Sequence, residues 1–364
     1  MKALYEFREL PSDYDDNWDS FVEASPQGNA FLLSQSLRTL ASHEHPQAYP
    51  LRVGAFNREG NLDAAWAVLV RKRGPVRYAT QFPLYYAGPL LSAAACESKE
   101  QTHRIELLEG LARELCEGID ILDTEAAPEL PDARGLIFAG CKIHQVYTHL
   151  WPQGTAEDLA GWPNKTKRYE MRKASKHHQF QEIPITPENL DLFDHLHNLT
   201  LIKFKWIAPA HWRSTLLANM SAMGKAGFCR LYGATSSDTP DSPCAIVSIL
   251  LSPQQQRSWL WRVAYHTDEP GLVPALYVEA SKDLKQRGGA GWTLNFGGSP
   301  RPSLAAFKDH LGGIPCPRWR ITWERPGMKS ILWNLSTTTK EYLRKKTYRL
   351  RSVTTIESGS KIQE

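Results

Sequence analysis

The stretch NFGGSPRPSLAAFKDHLGG, residues 295–313, decides how the second half of this chain is interpreted. An apolar segment at 292–296 runs into a Gly-Gly pair, and the apolar spacing beyond Pro302 predicts a short helix near 302–311. A strand that turns sharply into a helix is typical of α/β folds, in which the strand ends open a binding crevice. Phe307 and Lys308 stand side by side in that helix. A phosphate cradle, a structural turn and an acyl-transfer site all fit this pattern.

Outward from this stretch, one order of predicted elements occurs twice. The first half has helices followed by a three-stranded meander at 51–82. A helix near 98–117 and strands at 119–125 and 142–151 come after it. The second half repeats this order, with helices near 187–204 and 209–225, strands at 227–236, 243–252 and 257–267, a helix near 271–287, and strands at 292–296 and 317–324. The repetition predicts an α/β fold of the α+β mixed-sheet kind, built as two tandem domains of one type.

The domain limits follow from this repetition. We predict an N-terminal domain over residues 1–160 and a C-terminal domain over residues 161–325, which contains the quoted stretch and therefore the candidate site. A last helical stretch near 328–350 contains apolar residues that need cover. The segment 326–350 is therefore expected to pack back on the first domain.

Composition limits the class of protein. The chain has 364 residues, of which 42% are hydrophobic, enough for two domains with sizeable cores. Its net charge of only +4 argues against DNA as a partner. Any anionic partner must therefore bind a local patch of positive charge. The six cysteines include no Cys-x-x-Cys, and the N-terminus lacks the apolar run of a signal peptide. We expect a cytoplasmic protein without a transmembrane segment, and peripheral membrane association stays open.

Several motifs together resemble the FemAB-like branch of the GNAT acyltransferase superfamily, whose members carry two tandem GNAT domains. They are SPQGNAFLLSQSLRTL at 25–40, YYAGPLL at 85–91, KRYEMRKASKHHQF at 167–180, and FGG with SLAAFKDHLGG at 296–313. The resemblance implies an N-acyl or aminoacyl transferase that moves an activated group to the amine of a small acceptor bearing phosphate or sugar. It implies an aminoacyl-tRNA, acyl-CoA or acyl carrier protein as donor and no tightly bound cofactor.

The resemblance also assigns the centre of the site. Transfer to an amine develops negative charge on the donor's carbonyl oxygen, and a preorganised cation beside that charge is worth about 3 kcal/mol. By resemblance, Lys308 is the electrostatic catalyst and Phe307 is a wall of the donor pocket. The alternative is that Phe307 is a core residue and Lys308 lies on a solvated helix face.

Further substrate-binding residues are predicted around this centre. Tyr85 and Tyr86 precede a Gly-Pro pair and can offer a hydroxyl and a flat ring to a sugar or nucleotide, or simply pack at a strand end. By resemblance, Tyr265 lines the acceptor site, although a core aromatic also fits its position. Lys203 and Lys205 end a predicted helix near the place where the family has an acceptor-binding arginine. Alternatively, they only stabilise the helix, because the negative end of its dipole attracts cations.

Two basic runs, 165–176 and 340–351, could meet tRNA phosphates or could be solvated faces. Arg168, in the first run, is a candidate substrate-binding residue.

Patterns that the sequence lacks narrow the chemistry. The Gln/Arg-x-x-Gly-x-Gly/Ala loop, which holds the pyrophosphate of CoA at a helix start, is replaced by HTDEPGLVPALYVEA at 266–280. A CoA donor held in the usual way is therefore disfavoured. The histidine pairs at 43–45 and 195–197 have no further ligands at a recognised spacing, so no metal site is predicted. An acyl-CoA-dependent transferase of polysaccharide or secondary metabolism and a non-catalytic GNAT binding module remain the alternatives.

Overall fold

The computed structural model describes residues 4–44, 48–81, 84–151, 162–205, 208, 210–237, 239–252, 256–267, 269–288, 292–299 and 301–327. The predicted helix near 328–350 and the basic run 340–351 lie outside these residues. No helix within the described ranges is long and apolar enough to cross a bilayer.

The described residues form thirteen strands. In chain order they are β1 (Glu6–Glu9), β2 (Ala48–Phe56), β3 (Leu62–Arg73), β4 (Val76–Thr80), β5 (Leu90–Leu91), β6 (Ile121–Glu125), β7 (Lys142–Trp151), β8 (His178–Ile183), β9 (Cys229–Ser236), β10 (Thr239–Ser252), β11 (Arg257–Tyr265), β12 (Thr293–Gly298) and β13 (Ile314–Glu324).

Ten α-helices connect or cover the strands. They are α1 (Asp15–Ala24), α2 (Ser34–His43), α3 (Ala93–Glu97), α4 (Gln101–Glu117), α5 (Arg134–Phe138), α6 (Lys165–His177), α7 (Pro187–Lys203), α8 (Ala210–Lys225), α9 (Leu272–Gly288) and α10 (Pro302–His310).

All strands belong to one mixed sheet, in the order β1-β2-β3-β4-β6-β13-β7-β12-β11-β10-β9-β8, with β5 paired to β3. Each half contributes an antiparallel meander, β1–β4 or β8–β11, that starts at one outer edge of the sheet. A helix, α4 or α9, then leads to a strand parallel to the last one of the meander, which is β6 beside β4 and β12 beside β11. The predicted mixed α/β fold and the repeated order of elements are confirmed.

The sequence did not predict β1 or β8, the first strand of each meander. Their sequences, EFRE and HQFQEI, are short and polar because both strands lie at an outer edge, where one side pairs with no other strand among the described residues. Edge strands of this kind carry charged side chains and show no apolar alternation.

The last strands of the two halves are exchanged. β7, from the first half, pairs with β12 of the second half and with β13. β13, the last described strand of the chain, inserts between β6 and β7 and pairs with both. Residues from both halves therefore meet at the middle of the sheet, and the limits 1–160 and 161–325 stay a prediction.

The crevice of the second half opens where two parallel strands separate. β11 and β12 pair only from Arg257 to Trp259 and from Thr293 to Asn295, so the later parts of both strands diverge. In the pairing of β10 with β11, Ser248 faces Arg262 and Ile249 faces Leu260, which leaves Trp261 as an extra residue. Such a bulge bends its strand and is common beside binding sites. The Gly-Gly pair of the opening stretch lies at the open end of β12.

Candidate active site

The Gly297–Gly298 turn at the end of β12 is the centre of the candidate site. Lys308 reaches it from α10, and its Nζ donates hydrogen bonds of 2.8 Å to the carbonyl oxygens of both glycines. The side chain is only 3% exposed. The alternative that Lys308 lies on a solvated helix face is therefore wrong, whereas Phe307 does pack against a core cluster.

The environment of Lys308 lowers its pKa from 10.5 to about 7. Burial is the largest cause, because it disfavours the charged ammonium, and the positive charge of Arg318 adds to it. Both hydrogen bonds of the ammonium go to neutral carbonyls, which leaves one of its three N–H donors for another acceptor. Near neutral pH this side chain can switch between cation and free amine.

Arg318 stands on the exchanged strand β13 and is buried next to this turn. It forms an ion pair with Glu125 of β6, and Gln81 also donates a hydrogen bond to that carboxylate. The Arg318 guanidinium carbon lies 5.3 Å from the centre of the Tyr86 ring. Arg318 thus has a carboxylate partner. The described hydrogen bonds of the Lys308 ammonium, by contrast, include no carboxylate.

The two tyrosines of the YYAGPLL motif lie on the other side of the turn. Tyr86 is buried, and its hydroxyl donates to Thr148 Oγ1 at 3.2 Å and accepts from Asn295 Nδ2 at 2.8 Å. Asn295 Oδ1 in turn accepts from the Gly297 N–H at 2.8 Å. Both of these hydrogen bonds of the Tyr86 hydroxyl lie within the protein, and its role as a substrate contact stays a prediction. Tyr85 is partly buried and stays a candidate contact.

Gly297 shows why this turn needs glycine. Its φ of +71° is in the left-handed region, and an added methyl group would lie 3.2 Å from the Tyr85 hydroxyl oxygen. We expect Gly297→Ala to lower the free energy of unfolding by more than the roughly 1–2 kcal/mol of left-handed strain alone, measured by urea unfolding. Gly60→Ala is the matched control, since Gly60 has φ +82° and the described part of the chain places no atom within 4 Å of the added methyl group. Equal losses in the two variants would contradict this prediction.

A second polar group begins one residue after the turn. His149 of β7 is 3% exposed, and its Nδ1 lies 3.0 Å from Ser299 Oγ while its Nε2 lies 3.1 Å from Asp309 Oδ1. Burial lowers the pKa of His149 from its usual value, and the charge of Lys308 lowers it further; Asp309 opposes both. The imidazole is therefore neutral near pH 7.

The remaining predicted site residues form other groups. Lys203 Nζ donates to the His266 carbonyl at 3.0 Å and lies 5.0 Å from the centre of the Tyr265 ring, so these two candidates do meet. Lys205 is exposed and has a φ of +57°. Arg168 is half-buried on α6, the predicted basic helix.

The start of α9, where a GNAT protein would hold pyrophosphate, is covered. Gly271 precedes the helix with φ +87°, and a methyl group there would lie 2.3 Å from the carbonyl carbon of Glu170 on α6. Glu269 also stands at this helix end, with its carboxylate 3.4 Å from His178 Nε2. A close-packed backbone and a carboxylate are poor neighbours for a pyrophosphate.

A small cleft of about 30 Å³ lies at the seam between the halves. Tyr86 and Asn295 form part of its wall, and the ion pair of Arg257 with Glu129, at 3.2 Å, lines it as well. The cleft thus borders the hydrogen-bond network behind the Gly297–Gly298 turn.

Sequence reasoning missed several residues of the site, namely Arg318, Glu125, Asn295, Thr148, His149, Ser299 and Asp309. Three of them lie inside the quoted stretch 295–313. Their proximity to a Gly-Gly turn was a usable signal. For Arg318 and Glu125 the sequence held no such signal, because their contact depends on the strand exchange.

Several solved structures have a fold similar to that of this chain. Comparison with solved structures finds FemX with a TM-score of 0.65 at 13% identity, over 91% of this chain and 99% of that one. A tandem GNAT protein from the clavulanic acid biosynthesis pathway has a TM-score of 0.56 at 15% identity, over 89% of this chain and 99% of that one. L-PGS from Bacillus licheniformis has a TM-score of 0.53 at 13% identity, over 89% of this chain and 96% of that one. No family profile and no curated protein sequence matches.

These likenesses show that the chain has the fold of FemX and of a tandem GNAT protein, which is the fold that its motifs predict. At these identities they show the fold alone. Within the described residues, no cluster of three or more His, Cys, Asp or Glu side chains is arranged to hold a metal ion.

Proposed function

We propose that this protein is an N-acyl or aminoacyl transferase and that Lys308 is its electrostatic catalyst. One observation carries the proposal: a buried lysine is held at the open end of β12 by two neutral carbonyls, with one N–H to spare. A buried cation without a carboxylate partner is unfavourable for folding. Its position is explained if a ligand develops negative charge beside it.

The reaction follows from that position. The acceptor amine attacks the donor's carbonyl carbon, and the new C–N bond leaves a negative charge on the carbonyl oxygen. The Lys308 ammonium stabilises this oxygen, in a dry site where the interaction is stronger than in water. The carbon–oxygen or carbon–sulfur bond between the acyl group and the rest of the donor then breaks, and the leaving group takes up the proton that the amine loses. Phe307 and Tyr85 supply walls for the two substrates.

The donor class is the finer part of the proposal. The covered start of α9 and the Glu269 carboxylate favour an activated aminoacyl or acyl group that is not carried by CoA. The acceptor is a small amine bearing phosphate or sugar, which Lys203, Lys205 and Arg168 would meet. The fold shared with a tandem GNAT protein from the clavulanic acid biosynthesis pathway supports transfer over a binding module.

Single-turnover assays with a donor panel test the proposal. Charged tRNAs, acyl-CoAs and acyl carrier proteins are each mixed with amino-sugar and nucleotide-sugar acceptors, and the products are identified by mass spectrometry. We expect transfer from a non-CoA donor. Release of free thiol from acyl-CoA that requires an acceptor would assign the CoA-dependent alternative instead. Binding of these ligands without any turnover would indicate the non-catalytic module.

A further inference from the structure

The group formed by Ser299, His149 and Asp309 has no part in the transfer described above. It joins three separate segments: Ser299 follows β12, His149 lies on β7 from the other half, and Asp309 lies on α10. The two contacts of the imidazole, 3.0 Å to Ser299 Oγ and 3.1 Å to Asp309 Oδ1, are both within hydrogen-bond reach.

The chemistry of the partners fixes the direction of these hydrogen bonds. The Asp309 carboxylate only accepts, so the proton of the neutral imidazole resides on Nε2. The lone pair on Nδ1 then accepts the proton of the Ser299 hydroxyl. A hydroxyl, a base and a group that orients the base are the parts of an activated nucleophile.

The surroundings suit this role. His149 is 3% exposed and neutral, as a general base must be before the reaction. Lys308 holds the carbonyl of Gly298, the residue directly before Ser299. An oxygen that becomes negative on a carbonyl attacked by Ser299 would therefore develop beside a cation.

We propose that Ser299 is a nucleophile that accepts an acyl group from activated esters or thioesters, with His149 as general base and Asp309 as the orienting carboxylate. Ser299 Oγ forms a bond to the carbonyl carbon while its proton moves to His149 Nδ1. The donor's C–O or C–S bond breaks, and the leaving group takes the proton from His149. An amine or water then cleaves the acyl-serine ester. This goes beyond the proposed transfer, which needs no covalent intermediate.

The test is acylation of the full-length protein by p-nitrophenyl acetate. Release of p-nitrophenolate is followed by stopped flow, and the acetylated residue is located by peptide mass spectrometry with and without hydroxylamine, which removes esters and spares amides. We expect a burst and a hydroxylamine-sensitive acetyl group on Ser299. Ser299→Ala should abolish the burst, and His149→Gln should slow it by about 10²–10⁴-fold. Ser303→Ala, which changes an exposed serine of α10, should leave it intact.

An acetyl group on Lys308 or another lysine, with none on Ser299, overturns the inference, as does a burst that survives in Ser299→Ala. The mapping on the wild-type protein decides the matter even if a variant fails to fold. Transfer to an amine without acyl-Ser299 in the wild type overturns this inference alone. Acyl-Ser299 in a protein that transfers to no amine would instead count against the proposed function.

Discussion

Lys308→Met is expected to lower the rate of acyl transfer by about 10²-fold or more, which is the loss typical of one preorganised donor beside a developing oxyanion. Methionine is one atom shorter than lysine, keeps most of the apolar part of the side chain, and removes the charge and its hydrogen bonds. The loss should appear in kcat, because the charge that Lys308 stabilises exists in the transition state and not in the bound donor. Single-turnover rates with saturating donor measure it directly.

The control is Lys225→Met, which removes an exposed lysine at the end of α8. It should leave the rate unchanged. Transfer by Lys308→Met within a few-fold of the wild type would show that Lys308 is not the electrostatic catalyst. A changed circular dichroism spectrum would show that the variant misfolds, in which case Lys308→Gln repeats the test with a polar side chain.

The pH dependence of the wild type follows from the same residue. Because the pKa of Lys308 is lowered to about 7, its ammonium form is lost as the pH rises through that value. We therefore expect the rate to have a limb that falls with increasing pH near 7, while deprotonation of the acceptor amine opposes it at higher pH. This falling limb should be absent from Lys308→Met. His149 does not produce it, since its pKa lies below the usual value and the imidazole is already neutral.

The sequence predicted the positions of individual strands and helices better than it predicted which strands pair with each other. The strand at 142–151 has the predicted limits, because its length and composition mark it locally. Nothing local in that strand shows that it pairs with β12 and β13 and not only within its own half. Pairing depends on residues more than a hundred positions away, which periodicity does not report.

The candidate site shows the same division. Lys308 could be assigned because a Gly-Gly turn and a short helix surround it in the sequence. Arg318 was treated as an ordinary strand residue, although it is the charge that acts on Lys308. The burial of Tyr86 was equally invisible, since the partners of its hydroxyl, Thr148 and Asn295, come from distant strands. Where the two halves of this chain meet, the sequence predicts elements and candidate residues in each half, but it does not predict which of them contact each other.

Glu125→Gln is expected to lower the free energy of unfolding by about 3–5 kcal/mol, as is typical when one partner of a buried ion pair is removed. Arg318 is 5% exposed and cannot reach bulk water to replace the lost carboxylate charge. Its pairing with Glu125 also joins the exchanged strand β13 to β6. Denaturant unfolding followed by tryptophan fluorescence measures the loss.

Two further variants separate burial of charge from simple loss of contact. Asp123→Asn breaks a pair with Arg320 on the same two strands, where the side chains are 37% and 48% exposed, and should cost less than about 1 kcal/mol. The double variant Glu125→Leu with Arg318→Met removes both charges and should recover most of the stability that Glu125→Gln loses, because no unpaired charge remains buried. If the double variant is as unstable as the single one, the contact itself holds β13 in the sheet, and the charge left without its partner is not the cause of the loss.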